Sequence, residues 1–207
     1  MTRAALLDID AAVKALIALA AKSSARGYTP ATSGNFSVRI DPERAIVTAS
    51  GRDKGELTAD DTILFDVRAP LPPRASAEAP VHAAIYRSFP EVSALVHVHT
   101  LAATVLSRRH EKTGSVRIEG LEMLKALRGI ATHEATLDLR IYPNTQDMAA
   151  LAHAVERDRA ILAPSWGFLL AAHGLYAWGT TPAEAWRHAE AIDFLLSVRM
   201  AEEALPR

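Results

Sequence analysis

Two histidines one residue apart, His97 and His99, are the pair whose type and spacing most directly offer chemistry in this chain. They lie in Leu95-Val96-His97-Val98-His99-Thr100, an aliphatic, β-branched run preceded by a turn at Phe89-Pro90-Glu91, which reads as a β-strand. Side chains alternate faces along a strand, so both imidazoles point one way while Val96 and Val98 point into the opposite layer. Two imidazoles about 7 Å apart on a rigid element can share a metal ion. The same spacing also fits two histidines that are hydrogen-bonded locally on a half-buried strand. A third histidine would complete a catalytic type of site with one open position. His173 is the best placed of the others: it ends an apolar strand, and Gly174 after it lets backbone approach closely. It reads equally as a strand-end histidine capping a turn. His82 and His188 fall in predicted helices, whereas His110, His133 and His153 are expected to be exposed.

Two small-residue loops share a second kind of chemistry. Thr32-Ser33-Gly34-Asn35 and Ser50-Gly51-Arg52-Asp53-Lys54 offer hydroxyls, backbone N–H groups and a cation without bulk. A phosphate monoester needs that combination, although simple turns have the same composition. Two carboxylates stand apart from the other acids. Glu78 closes the rigid segment Arg74-Ala75-Ser76-Ala77-Glu78, and Glu122 lies in the otherwise apolar patch Gly120 to Leu127. Glu122 also fits the solvated face of an amphipathic helix. Glu202 and Glu203 read as surface acids.

The elements that must hold these groups follow from periodicity. Leu6, Ile9, Val13, Leu16, Ile17 and Ala20 keep helical spacing, with Gly27 as a stop. Three strands follow, Phe36–Ile40, Ala45–Ala49 and Thr62–Val67; their short links predict an antiparallel meander. A helix from Pro80 to Ser88 has Pro at its first turn. The histidine strand leads into a helix from Leu101 to Arg109, then a loop, a helical patch over 120–127 and a strand from Leu137 to Tyr142. Asn144 is the expected cap of a helix through Arg157. Gly167 to Gly179 reads as a buried strand pair interrupted by a glycine. A last helix opens at Thr181-Pro182-Ala183-Glu184 with the pattern of a capping box and runs to Glu203. The fold class is α/β, a mainly antiparallel sheet covered by helices.

Composition sets the outer limits. A chain of 207 residues that is 49% hydrophobic suits one domain over residues 1–207 with a substantial core. Lys plus Arg number 23 against 24 for Asp plus Glu, which argues against a nucleic-acid partner while leaving room for a local phosphate pocket. No apolar run reaches 18 residues, and Asp8 comes too early for a signal peptide, so a cytoplasmic location and no membrane partner are expected. Cysteine is absent, which leaves histidine and carboxylate as the metal ligands available.

Taken together, Glu78, His97-Val98-His99 and His173-Gly174 resemble the class II aldolase/adducin family. The resemblance extends through Thr32-Ser33-Gly34-Asn35-Phe36-Ser37, Ala49-Ser50-Gly51-Arg52-Asp53-Lys54-Gly55, Ser76-Ala77-Glu78, Leu121-Glu122-Met123-Leu124-Lys125 and His173 to Gly179, over most of the chain. It implies an α/β/α sandwich with a central, mainly antiparallel sheet. It implies one Zn2+ per subunit on His97, His99 and His173, and a sugar phosphate held by Thr32, Gly34, Asn35, Ser50, Gly51, Lys54 and Ser76. A homotetramer with active sites near subunit interfaces is implied as well. The Ser-Gly-Arg-Asp-Lys-Gly and Glu-Met-Leu-Lys segments resemble the family's dehydratase branch, which implies dehydration of 5-methylthio-ribulose 1-phosphate in L-methionine salvage. Some dehydratases of this type carry cysteine where this chain has Glu78, whereas the aldolases carry their catalytic glutamate there. The chain therefore keeps two candidate acid–base residues, Glu122, the one favoured, and Glu78. Two other activities remain open: aldol cleavage of a ketose 1-phosphate, and a non-catalytic adducin-like binding module.

Overall fold

The computed structural model describes residues 7–205. Eight strands form one sheet in the order β3-β2-β1-β4-β8-β7-β6-β5. The meander is as expected: β1 (Asn35–Arg39), β2 (Arg44–Thr48) and β3 (Thr62–Asp66) pair antiparallel. The histidine strand, β4 (Ala94–Val98), lies at the centre between β1 and β8 (Gly174–Gly179). Beyond β8 come β7 (Gly167–Leu170), β6 (Thr136–Tyr142) and β5 (Ser115–Glu119). Only β6 and β7 among these pairs run parallel.

Helices cover both faces. Helix α1 (Ile9–Ala25) starts at Asp8, whose carboxylate accepts from the Ala11 N–H, a cap worth about 1 kcal/mol. The expected start at Leu6 lies outside the described residues. Together with α3 (Leu101–Arg109) and α6 (Pro182–Ala204), α1 buries one apolar layer that includes Val96 and Val98. Helix α2 (Ala79–Ser88) packs on α4 (Met148–Arg157), and with a short α5 (Arg159–Leu162) they cover Leu95, Tyr176 and Trp178 on the other face. The result is the α/β/α sandwich expected from the resemblance, with β4 buried on both sides.

Several local expectations change. Strand β5 falls in a segment expected to be loop, although Ser-Val-Arg-Ile-Glu alternates and only Val116 and Ile118 are buried. The patch over 120–127 is a short 3-10 turn, Glu122–Ala126. Asp147 rather than Asn144 caps α4, accepting from the Ala150 N–H. Thr181 does cap α6, but the Glu184 carboxylate turns to the N–H and hydroxyl of Thr180 instead of closing the box on Thr181. Glu203 is not a free surface acid, because Arg109, His110 and Arg199 enclose it.

Candidate metal centre

His97 is next to last in β4, opposite Tyr176 on β8 and Asn35 on β1. His99 lies just past the strand end, and its backbone N–H donates to the Tyr28 carbonyl. His173 occupies the turn between β7 and β8. That turn is tied to α3 by the Ser107 hydroxyl, which accepts from the Ala172 N–H, and by the Thr104 hydroxyl, which donates to the His173 carbonyl. Glycine is required at position 174: a Cβ there would stand 2.3 Å from the Val98 carbonyl oxygen and 3.2 Å from each of the rings of His97 and His99. Any larger residue there would push against the Val98 backbone and the rings of His97 and His99.

The three Nε2 atoms converge. The separations are 3.0 Å for His97 and His99, 3.1 Å for His99 and His173, and 3.4 Å for His97 and His173. Corners of a tetrahedron around a cation with N–metal bonds near 2.05 Å are about 3.3 Å apart, so the triad fits such an ion. Its tautomers fit as well. Nδ1–H of His97 donates to the Leu175 carbonyl at 3.1 Å, and Nδ1–H of His173 to Asn144 Oδ1 at 3.3 Å, which leaves Nε2 of each as a lone pair facing the centre. Burial pushes His97 and His99 below the usual histidine range, so both rings are neutral and ready to ligate near pH 7. The lone pairs of His97 and His173, 3.4 Å apart, repel one another unless a proton on His99 Nε2 or a cation lies between them.

Glu78 stands beside this cluster at the N-terminus of α2. Its Oε2 is 3.1 Å from His97 Nε2, and Oε1 is 3.3 Å from His173 Nε2. Burial alone would raise its pKa. The hydrogen bonds from the Tyr176 hydroxyl (2.5 Å) and Asn35 Nδ2 (2.8 Å) work against this and favour its ionised form, as positive charge at the histidine cluster would. Tyr176 also stacks on the His97 ring, with centroids 4.0 Å apart. Neither Tyr176 nor Asn144 stands out in the sequence as a site residue. Tyr176 has one local signal, its place two residues after Gly174, whereas Asn144 lies 29 residues before His173 and becomes informative only once the β7–β8 turn is placed.

The small-residue loops meet here too. Gly34 has φ +76, and a Cβ on it would lie 2.6 Å from the His97 carbonyl oxygen, so the first loop rests directly on the metal-ligand strand. Lys54, 2% exposed, donates to the carbonyls of Thr32 and Arg52 and so holds the two loops together from beneath. The antiparallel backbone bridge between Ala49 and Ala75 pairs Ser50 with Arg74 and Ser76 with Thr48, and the Ser76 hydroxyl accepts from the Glu78 N–H at 3.4 Å. Thr32, Gly34, Ser50, Gly51, Lys54 and Ser76 thus belong to loops around one corner, next to Glu78. Asn35 joins them in a different way, since both ends of its side-chain amide are engaged inward by Glu78 and His82. A cleft of about 640 Å³ opens onto the triad, lined by Pro30, His99, Leu101, Thr104, Asn144 and His173 among others.

Glu122 is not brought to the triad by its own chain. Its side chain is 72% exposed and pairs with Lys125 at 2.6 Å and His133 at 3.7 Å, on the 3-10 turn that packs against α6. The remaining histidines have other duties. His188 is buried between the Trp178 carbonyl and the Arg128 N–H, His110 is half-buried against Glu203, and His133 and His153 are exposed.

Comparison with known proteins agrees with the geometry. The family described as Class II Aldolase and Adducin N-terminal domain matches residues 14–200. A methylthioribulose-1-phosphate dehydratase of Parvibaculum lavamentivorans is 49% identical, over 96% of this chain and 97% of that protein. One from Sorangium cellulosum is 44% identical over 92% of each. The L-fuculose-1-phosphate aldolase of Thermus thermophilus superposes with a TM-score of 0.74 at 26% identity, covering 92% of this chain and 95% of that one. With its sandwich, its histidine triad and relatives matched nearly end to end, the chain belongs to the class II aldolase and adducin family.

Proposed function

We propose that the chain is a hydro-lyase that dehydrates 5-methylthio-ribulose 1-phosphate to 5-methylthio-2,3-dioxopentyl phosphate, a step of L-methionine salvage. The near full-length identity to dehydratases named for that substrate carries the reading. Intact triad and loops support catalysis over a binding-only module. Zinc held by His97, His99 and His173 would act as a Lewis acid that makes the carbon next to a sugar ketone acidic.

The chain's own groups then have defined tasks. Thr32, Gly34, Ser50, Gly51 and Ser76 lie in loops that can receive the phosphate, with Asn35 beside them at the start of β1, and the N-terminus of α2 adds a favourable dipole for an anion. Lys54 keeps these loops in register from below. Anchoring C1 in this way sets the distance from the phosphate to C3 and C4. A carboxylate takes the C3 proton, the C4 hydroxyl leaves as water with a proton returned to it, and the resulting enol tautomerises to the 2,3-diketone. Such proton transfer contributes about 10²–10⁴-fold. Glu78 is the carboxylate in place within the chain, and Glu122 joins it from a second copy in the homotetramer. Exposed Leu101 and Val105 near the cleft and Met123 beside Glu122 fit such packing. Among the described residues no helix is long and apolar enough to cross a membrane, in keeping with a cytoplasmic enzyme.

Glu78 beside the triad also favours a second reading, retro-aldol cleavage of a ketose 1-phosphate. Incubation with 5-methylthio-ribulose 1-phosphate separates the two by product. Dehydration gives one phosphate ester lighter by a water, whereas cleavage gives a triose phosphate and an aldehyde. His97→Ala is expected to lose bound zinc and turnover together, and full turnover without metal would overturn the proposal.

A further inference from the structure

His82 is a fully buried histidine in α2 that takes no part in the chemistry described so far. Its Nε2 is 2.6 Å from Asn35 Oδ1 and its Nδ1 is 2.7 Å from Ser37 Oγ. Ser37 Oγ is in turn 2.8 Å from the Tyr86 hydroxyl, and Asn35 Nδ2 is 2.8 Å from Glu78 Oε2. Tyr86, Ser37, His82, Asn35 and Glu78 form an unbroken line from the α2 core to the metal centre.

The polarity of this line is set at one end. An ionised carboxylate only accepts, so Asn35 must turn its amide nitrogen to Glu78 and its carbonyl to His82. His82 must then carry its proton on Nε2. Because burial favours the neutral ring, Nδ1 is an acceptor and the Ser37 hydroxyl donates to it. Ser37 Oγ in turn accepts from Tyr86. Each link then joins one donor to one acceptor, the arrangement in which a buried polar network holds a single geometry.

We propose that His82 is a positioning residue for the active site: by holding the Asn35 carbonyl, it keeps the Asn35 amide nitrogen on Glu78 and the Glu78 carboxylate facing His97 and His173. The proposal rests on Glu78 being an active-site group, as in the reading above. Leucine at 82 fills similar space but leaves the Asn35 carbonyl without a donor. The amide is then free to turn its oxygen onto the carboxylate, where it repels. Glutamine at 82 can donate to Asn35 and accept from Ser37, so it preserves the polarity.

The test uses the zinc-loaded enzyme with 5-methylthio-ribulose 1-phosphate. His82→Leu is expected to lower kcat by about 10–100-fold, the usual cost of losing a supporting partner, while KM changes by less than about threefold. His82→Gln is expected to restore most of kcat, which a purely steric role would not predict. A second readout needs no turnover: 15N NMR of the wild-type protein should place the His82 proton on Nε2 and show a slowly exchanging Asn35 side-chain amide. A folded His82→Leu variant with wild-type kcat, or a His82 proton on Nδ1, would overturn the proposal. If the wild type turns over no methylthio ketose phosphate yet shows this tautomer and amide protection, the substrate reading falls and the positioning role stands.

Discussion

Tyr176 does two things to the histidine triad and its neighbour at once: its ring stacks on His97 at 4.0 Å, and its hydroxyl donates to Glu78 at 2.5 Å. One side chain thereby fixes a ligand and the carboxylate next to it. Tyr176→Phe keeps the stacking and removes the donor. A hydrogen bond to a charged group is worth about 1.5–3 kcal/mol, so kcat should fall by about tenfold or more. Zinc content should stay near one per chain, because the ligands are untouched. Metal analysis beside steady-state kinetics checks this, and loss of zinc in the phenylalanine variant would mean that the hydroxyl supports the ligands rather than Glu78.

Gly174 sets how closely the two ligand-bearing segments approach. A Cβ there meets the Val98 carbonyl at 2.3 Å, and that oxygen belongs to a strand buried along its whole length. The strand cannot yield as a flexible side chain would. Gly174→Ala is expected to cost about 2–3 kcal/mol by overpacking, a fall in Tm of about 5–10 °C for a chain of this size. Calorimetry with and without zinc should show a smaller stabilisation by metal in the variant, since the three rings no longer converge. An unchanged response to zinc would show that the glycine serves the fold alone.

The placement of Glu122 makes a prediction about assembly. It is exposed and salt-bridged to Lys125 rather than to its own triad, so the part in proton transfer proposed for it requires a neighbouring copy. Glu122→Gln and His97→Ala should each be inactive alone. Dissociated, mixed and reassembled, they should recover a fraction of wild-type activity, because some sites pair an intact triad with an intact Glu122 from another subunit. Recovery confined to mixed oligomers is the expected result. No recovery in oligomers shown to be mixed would leave Glu78 as the acid–base residue.

How far the sequence discloses this site follows from the range of each signal. That His97 and His99 share a face is legible because strand alternation is a local rule, and that His173 converges with them because Gly174 marks a close approach. The sandwich is legible in part: β1 to β3 follow from short links, whereas β5 is a short edge strand whose alternation rests on only two apolar residues, Val116 and Ile118. Glu78 and Glu122 cannot be ranked from the sequence by their own surroundings, since their difference is tertiary. One lies where α2 meets the β4–β8 pair, the other on a turn over α6. The role of Asn35 is hidden for the same reason: a loop asparagine looks free to bind an anion until His82 and Glu78 are found on either side of its amide.

Buried histidines also predict how the metal-free protein responds to acid. Burial lowers the pKa of His82 to about 4, that of His97 to about 3 and that of His99 to about 4, and lowers that of His188, against about 6.5 in an unfolded chain. The folded state therefore holds neutral rings in a range where the unfolded state takes up protons. Well above pH 6.5 both states are neutral at these sites, and they add no pH dependence. As pH falls from 6.5 towards 4 the unfolded state binds more protons, so stability must fall. Glu78 acts in the same direction at lower pH, because its depressed pKa adds stability above the usual carboxylate range that is lost as the group protonates. Each histidine that titrates in the unfolded state alone contributes a slope of about 1.4 kcal/mol per pH unit. Urea unfolding of chelator-treated protein between pH 7.5 and 4.5 should show this steepening below pH 6.5. In His82→Gln the slope should be shallower by about one proton, and an identical slope would mean that His82 is protonated in the folded chain.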